Sequence, residues 1–191
     1  MKELSLHILD IAQNSIAAGC KRLDLGLSEH EGILTVTVAD DGRGMDPQLL
    51  STVTDPFTTT RTTRKVGLGL PLLRLAAEQT GGSLSIESAV GVGTTVTAVF
   101  HTGHIDCPLL GDIGLTVALL IQGAPTVEVT YTRSTDRGSF AFDTREVRAV
   151  LGDEVSLAEA AVFSWIKDYI AQGEASLTGE DTHTHGQGGA L

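Results

Sequence analysis

Aromatic residues are scarce in this sequence: Phe, Tyr and Trp make up 4% of its 191 residues. A core must therefore be filled by Leu, Ile, Val and Ala, and an apolar content of 41% supplies enough of them for one good-sized domain. Cations are few as well, with 13 Lys and Arg against 24 Asp and Glu, a formal net charge of −11 and a pI near 4.8. A diffuse acidic surface repels phosphate backbones, which argues against nucleic acid as the main partner. A nucleotide stays possible, because it needs only a local positive region and backbone N–H groups. No apolar run approaches the ~20 residues of a membrane-spanning helix. Nor does a basic stretch lead into an apolar one with a small-residue cleavage site. The expectation is no membrane partner and a cytoplasmic location. Cys20 and Cys107 lie far apart and form no CxxC pair, so they read as reduced, partly buried thiols.

What is present begins with a helix over about Glu3 to Ala18. Leu4, Ile8, Ile11, Ala12 and Ile16 recur at helical spacing, and Gly19 supplies the stop. His7, Asp10 and Asn14, three and four residues apart, stack beside that stripe. Arg22 to Glu29 alternates as a half-buried strand, and a turn at residues 29–32 leads to a second strand, Ile33 to Ala39. Asp46 and Pro47 open a short helix as cap and first residue. Thr54 to Lys65 is hydroxyl-rich and basic, without period, and reads as a mobile loop. A helix runs from Gly67 to about Gln79, followed by strands Ser83 to Ser88 and Thr94 to His101 around a turn at 89–93.

Beyond His101 the character changes. A helix at Ile113 to Ile121, a hairpin at 127–142 and capping boxes at Asp143 and Ser156 follow. The last helix is expected to bury Val162, Ile166, Tyr169 and Ile170. From about Gly173 the chain reads as a polar, Gly-rich, disordered tail, in which His183 and His185 are too weak a pair for a metal site. The resulting division is 1–103, then a small α/β segment at 104–172 without a catalytic motif, then 173–191. The middle segment could dock a partner, dimerise, or pack on the first sheet.

Three features carry chemistry. Asp40, Gly42 and Gly44 follow a strand, placing a carboxylate beside backbone that a flat ligand can approach. Gly67 and Gly69 open a helix whose unsatisfied N–H groups attract anions. Arg61, Arg64 and Lys65 lie just upstream, where they could neutralise phosphate.

In their order along the chain, these pieces resemble the GHKL ATPase superfamily, whose members include DNA gyrase, the large heat-shock chaperones, histidine kinases and MutL. Asp10 to Gly19 looks like the family's N box, and Asp40 to Met45 like its first glycine box. Asp55 to Thr60, with Phe57, is similar to the aromatic box of histidine kinases. Gly67 to Leu70 resembles the second glycine box, and Gly91 to Thr94 the final turn. The resemblance covers residues 3–101 and implies an α+β fold: a two-layer sandwich of Bergerat type, a mixed sheet with helices on one face. It implies that Asn14 coordinates Mg²⁺, that Asp40 accepts from the adenine amino group, and that Gly42, Gly44 and Met45 lie near the base. Gly67, Leu68, Gly69 and Leu70 would surround the phosphates. The 58–65 segment, with Thr60, Arg61 and Lys65, would be an ATP lid, and Thr94 would support the adenine side.

Two departures bear on hydrolysis. Asp10, the candidate general base, stands where hydrolysing relatives carry the longer glutamate, and Ala17 stands where they often carry aspartate. Slow turnover, or none without a partner, is expected. Two functions follow from the resemblance: a stand-alone histidine kinase-like ATPase or protein kinase with its phosphoryl acceptor on another protein, or an ATP-controlled interaction switch. The sequence shows no dimerising hairpin with an acceptor histidine, and His7 lies outside any acceptor-like motif. It leaves the oligomeric state open.

Overall fold

The computed structural model describes residues 3–53, 69–152 and 154–178. Helix α1 (Leu4–Ala17) is followed by the hairpin β1 (Arg22–His30) and β2 (Ile33–Asp40), then α2 (Pro47–Thr52). Next come α3 (Gly69–Gln79), the hairpin β3 (Ser83–Ala89) and β4 (Gly93–His101), and α4 (Ile113–Gly123). The chain closes with β5 (Glu128–Thr135), β6 (Gly138–Asp143), α5 (Thr144–Leu151) and α6 (Ala160–Thr178).

The six strands form one mixed sheet in the order β3-β4-β2-β1-β5-β6. All neighbours are antiparallel except β1 and β5, which run parallel from Arg22↔Glu128 to Glu29↔Thr135. Strand alternation makes the sheet one-sided. Leu23, Leu25 and Leu27, Leu34, Val36 and Val38, and Val96, Ala98 and Phe100 turn inward, while Thr35, Thr37, Thr95 and Thr97 take the other face. The inward face meets Leu4, Ile8, Ile11 and Ala12 of α1, Leu73 and Ala77 of α3, and Val117, Leu120 and Ile121 of α4. Each such leucine, isoleucine or valine contributes ~1.5–3 kcal/mol on burial. This is the two-layer α+β arrangement of Bergerat type.

The segment after His101 continues this sheet. Its β5 pairs with β1 along the whole strand, and the backbone N–H groups of Leu4 and Ser5 donate to the Leu109 and Leu110 carbonyls at 2.9 Å. Of the placements the sequence left open, packing on the first sheet is the one observed. Caps behave as the sequence indicates: Asp46 accepts from Leu49 N–H, Asp143 from Arg145 N–H, and Glu159 from Ser156 N–H.

Two expectations need correction. Tyr169 is not on the buried side of α6; it is 41% exposed and stacks on Trp165 at 5.1 Å between ring centroids. Nor does the chain lose structure at Gly173, because α6 continues to Thr178. Gly173 is needed inside the helix, since a Cβ there would overlap the Phe140 ring.

Candidate functional site

Asp40 is the last residue of β2, and its register partner on β4 is Thr94. Its carboxylate is held from two sides. The Ser15 hydroxyl, one residue past Asn14 on α1, donates to Oδ2 at 2.5 Å. The Gly42 N–H donates to Oδ1 at 2.9 Å. A Cβ at Gly42 would press on that same oxygen and on Ala18, so a side chain there would disturb the carboxylate it helps fix. The charge is thus oriented before any ligand arrives, with lone pairs left over for a further donor.

The glycine loop after Asp40 is clamped at both ends. Asp41 accepts from Lys21 N–H at 2.7 Å and Arg22 N–H at 2.9 Å. The bond from Arg22 N–H, helped by that from Lys21 N–H, holds the Asp41 carboxyl below its usual range, although burial opposes them. Arg43 N–H reaches the Ala18 carbonyl, and the Arg43 carbonyl accepts from Gly91 N–H at 2.8 Å. This presses the loop onto the β3–β4 turn. Gly44 has φ +66 and Gly93 φ +129, and a Cβ on either would overlap backbone of the opposite segment, Ala89 or Asp40.

On the strand side, Ser88 ties the pieces together. Its hydroxyl accepts from Met45 N–H, donates to the Gly93 carbonyl and bonds the Thr94 hydroxyl, each at 2.9 Å. Thr94 therefore stands locked beside Asp40. Neither Ser15 nor Ser88 was singled out from the sequence. The only signal for Ser15 was a hydroxyl directly after Asn14.

Asp10 and Asn14 lie one turn apart on α1. Asn14 is exposed, and its amide has no hydrogen bond among the described residues. Asp10 lies against the start of α3: a Cβ on Gly69 would overlap its carboxylate. Its Oδ2 is buried, and no described residue donates a hydrogen bond to it. Gly69 is buried and Leu70 half-buried in the first turn of α3, where unsatisfied N–H groups carry partial positive charge. So the structure brings Asp10, Asn14, Asp40, Gly42, Gly44, Met45, Gly69, Leu70 and Thr94 to the α1–α3 side of the β2–β4 strand ends. Phe57, Thr60, Arg61, Lys65, Gly67 and Leu68 lie outside the described residues, as does the expected lid.

The donor set suits Mg-ATP. A free amide oxygen suits a hard cation. A pre-fixed carboxylate beside backbone without side chains suits an amino-bearing flat base, and a helix start suits phosphate. Among the described residues no group of three or more His, Cys, Asp and Glu could hold a metal by itself, and no helix is long and apolar enough to cross a membrane.

A one-sided mixed sheet, helices on its inner face, and a carboxylate and glycine loops at the strand ends define a Bergerat-type ATPase fold. The model of the histidine kinase-, DNA gyrase B-, and HSP90-like ATPase family matches residues 2–104, and the chain belongs to that family. Histidine protein kinase DivJ of Caulobacter vibrioides is 32% identical over 102 residues, covering 50% of this chain and 17% of its own length. Histidine protein kinase SaeS of Staphylococcus aureus is 29% identical over 108 residues, covering 53% of this chain and 30% of its own. The chain thus spans less than a third of the length of these curated relatives. A solved structure described as the N-terminal domain of a DNA repair protein has the same fold, with a TM-score of 0.52 and 14% identity over 80% of this chain and 58% of that one. That likeness covers more of the chain than residues 2–104 make up.

Proposed function

We propose that this chain binds Mg-ATP between α1, the end of β2 and the first turn of α3, and acts as a histidine kinase-like protein kinase or ATPase in signalling, with a protein phosphoryl acceptor in trans. The observation that carries the reading is Asp40, held by Ser15 and Gly42 beside Thr94. Asp40 would take the adenine amino group, and Thr94, fixed by Ser88, would close that side. Gly42, Gly44 and Met45 would border the base. Asn14 would offer its amide oxygen to Mg²⁺. Gly69 and Leu70, with Gly67 and Leu68, would receive the phosphates, and Phe57, Thr60, Arg61 and Lys65 would belong to the covering lid. When bound, the metal supplies charge neutralisation for phosphoryl transfer; the chain supplies position.

Calorimetry with ATP, ADP and a non-hydrolysable analogue tests the binding. Asp40→Asn should lose about 2 kcal/mol, roughly thirtyfold in affinity, and Asn14→Ala should lose its Mg²⁺ dependence. No heat from folded protein with any of the three nucleotides would overturn the reading. Label transfer from γ-labelled ATP to a co-purified protein would support the kinase.

A second reading, an ATP-controlled switch with slow or no hydrolysis, draws on Asp10. One of its oxygens is shut away from water against α3. That suits a residue coupling α3 to α1 better than a base acting on water. Single-turnover hydrolysis by wild type and Asp10→Asn separates the roles: equal, slow rates favour the switch, and a large loss favours the base.

A further inference from the structure

At the end of the sheet remote from Asp40, the last strand β6 and helices α5 and α6 enclose an open groove of about 560 Å³. Its walls are apolar, including Phe142, Val147, Val150, Leu151, Trp165 and Tyr169. Helices α5 and α6 flank the groove rather than packing on each other, and each turns an apolar stripe toward it. Val150 is 86% exposed and Trp165 49%, so the groove presents large apolar side chains to solvent. From the core outward, Phe142, Tyr169 and Trp165 form a continuous aromatic series, with ring centroids 6.2 and 5.1 Å apart.

The charge left without an ion-pair partner around the groove is negative. Glu146 lines it, and the α5–α6 connection that joins its walls carries Glu154 and Glu159. Among the described residues none of these three has a cation within ion-pair distance. The nearby cations are engaged elsewhere. Arg145 is bound to Asp143, Arg148 turns to the Pro125 and Val127 carbonyls, and Lys167 pairs with Asp168. The residues after Thr178 are mostly polar, with Glu180 and Asp181 and a single large apolar side chain, Leu191, where a groove of this kind takes two or three apolar anchors.

We infer that this groove docks a partner protein segment that is amphipathic and basic: a short helix with two or three bulky apolar anchors one turn apart and Lys or Arg on its flanks. A volume of this size takes a few side chains, the helix-in-groove mode supplies their spacing, and the unpaired carboxylates select the sign of the flanks. The groove shares no residue with the nucleotide site, so the inference stands or falls apart from it.

Trp165 is the only tryptophan in the chain and sits in the wall, so its emission reports occupancy directly. The full chain would be titrated with a synthetic amphipathic helical peptide bearing leucine anchors and lysine flanks, and with versions carrying glutamate flanks or serine anchors. The expected result is a saturable blue shift with the leucine–lysine peptide, and binding at least about tenfold weaker for either other peptide. Val150→Asp should weaken the leucine–lysine peptide by a similar factor, although the added negative charge would strengthen attraction that was only electrostatic. Glu146→Lys should favour the glutamate version. Both variants alter exposed side chains, and their melting points verify folding. Three results would overturn the inference: no shift in Trp165 emission, equal binding by wild type and Val150→Asp, or a dimer in sedimentation that Val150→Asp splits, which would assign the groove to a second copy.

Discussion

Ser15 Oγ lies 2.5 Å from Asp40 Oδ2, a bond from the interior of α1 to the last residue of β2. Ser15 is 5% exposed, buried like the helix residues that form the core, so this hydroxyl spends its burial on orienting one carboxylate. Ser15→Ala should weaken ATP binding by about 1–2 kcal/mol, roughly five- to thirtyfold, while leaving the fold intact. Calorimetry beside a melting curve checks this: unchanged affinity would mean that Asp40 needs no help from α1.

The contact between the glycine loop and the β3–β4 turn leaves no room for a methyl group. Gly93→Ala would place a Cβ into the Asp40 backbone at a φ of +129. The expected cost is about 3 kcal/mol or more, with ATP binding lost at temperatures where the protein remains folded. Gly91→Ala meets nothing nearby and differs only in its φ of +76, so its cost should be nearer 1 kcal/mol. Chemical denaturation of the two variants compares them.

Cys20 should be unreactive in the native protein. Burial first, then the charges of Asp40 and Asp41, pushes its thiol from 9.0 to about 11. At a pH near 9 the thiolate is therefore about fiftyfold rarer than in the unfolded chain, and alkylation should slow at least as much. The raised value also fixes the sign of the linkage. The contribution of Cys20 is fully present below about 9 and is lost as pH rises toward about 11. Cys20→Ala should flatten that alkaline loss in a plot of stability against pH.

Arg133, 3% exposed, is held by Glu29 at 2.6 Å and by Glu174 at 3.5 Å, and Glu174 also accepts from the Tyr131 hydroxyl. Burial, then the neighbouring Glu174, raises the Tyr131 hydroxyl above its ordinary range. Arg133→Met leaves Glu174 partly buried without its cation and should cost about 3–5 kcal/mol. Adding Glu174→Gln should restore part of it. A double-mutant cycle by denaturation reads the coupling, and additive losses would show that the charges act separately.

Much of the site-bearing half was legible because its signals are local. The 3.6 period of α1, the alternation of β1 and β2, and the cap at Asp46 each act over a few residues. What escaped is non-local or context-bound. Ser15 and Ser88 are ordinary hydroxyls until the fold brings Asp40 and Thr94 against them. Tyr169 sits one position from the buried Ile170, and its ring tips outward to join Trp165. Gly173 marked the expected start of the tail, yet the Phe140 ring occupies the space its missing side chain leaves. The parallel pairing of β1 with β5 spans about a hundred residues, and no periodicity announces it.

That pairing sets a limit on how the chain can be cut. Stopping near residue 104, where the family match ends, would strip β1 of its neighbour β5 and uncover the flank of α1 that packs on α4. The remnant would carry a bare strand edge beside Leu23, Leu25 and Leu27, an invitation to self-association. Work on the isolated ATPase-like half would then report the behaviour of a wounded sheet instead of that of the nucleotide site.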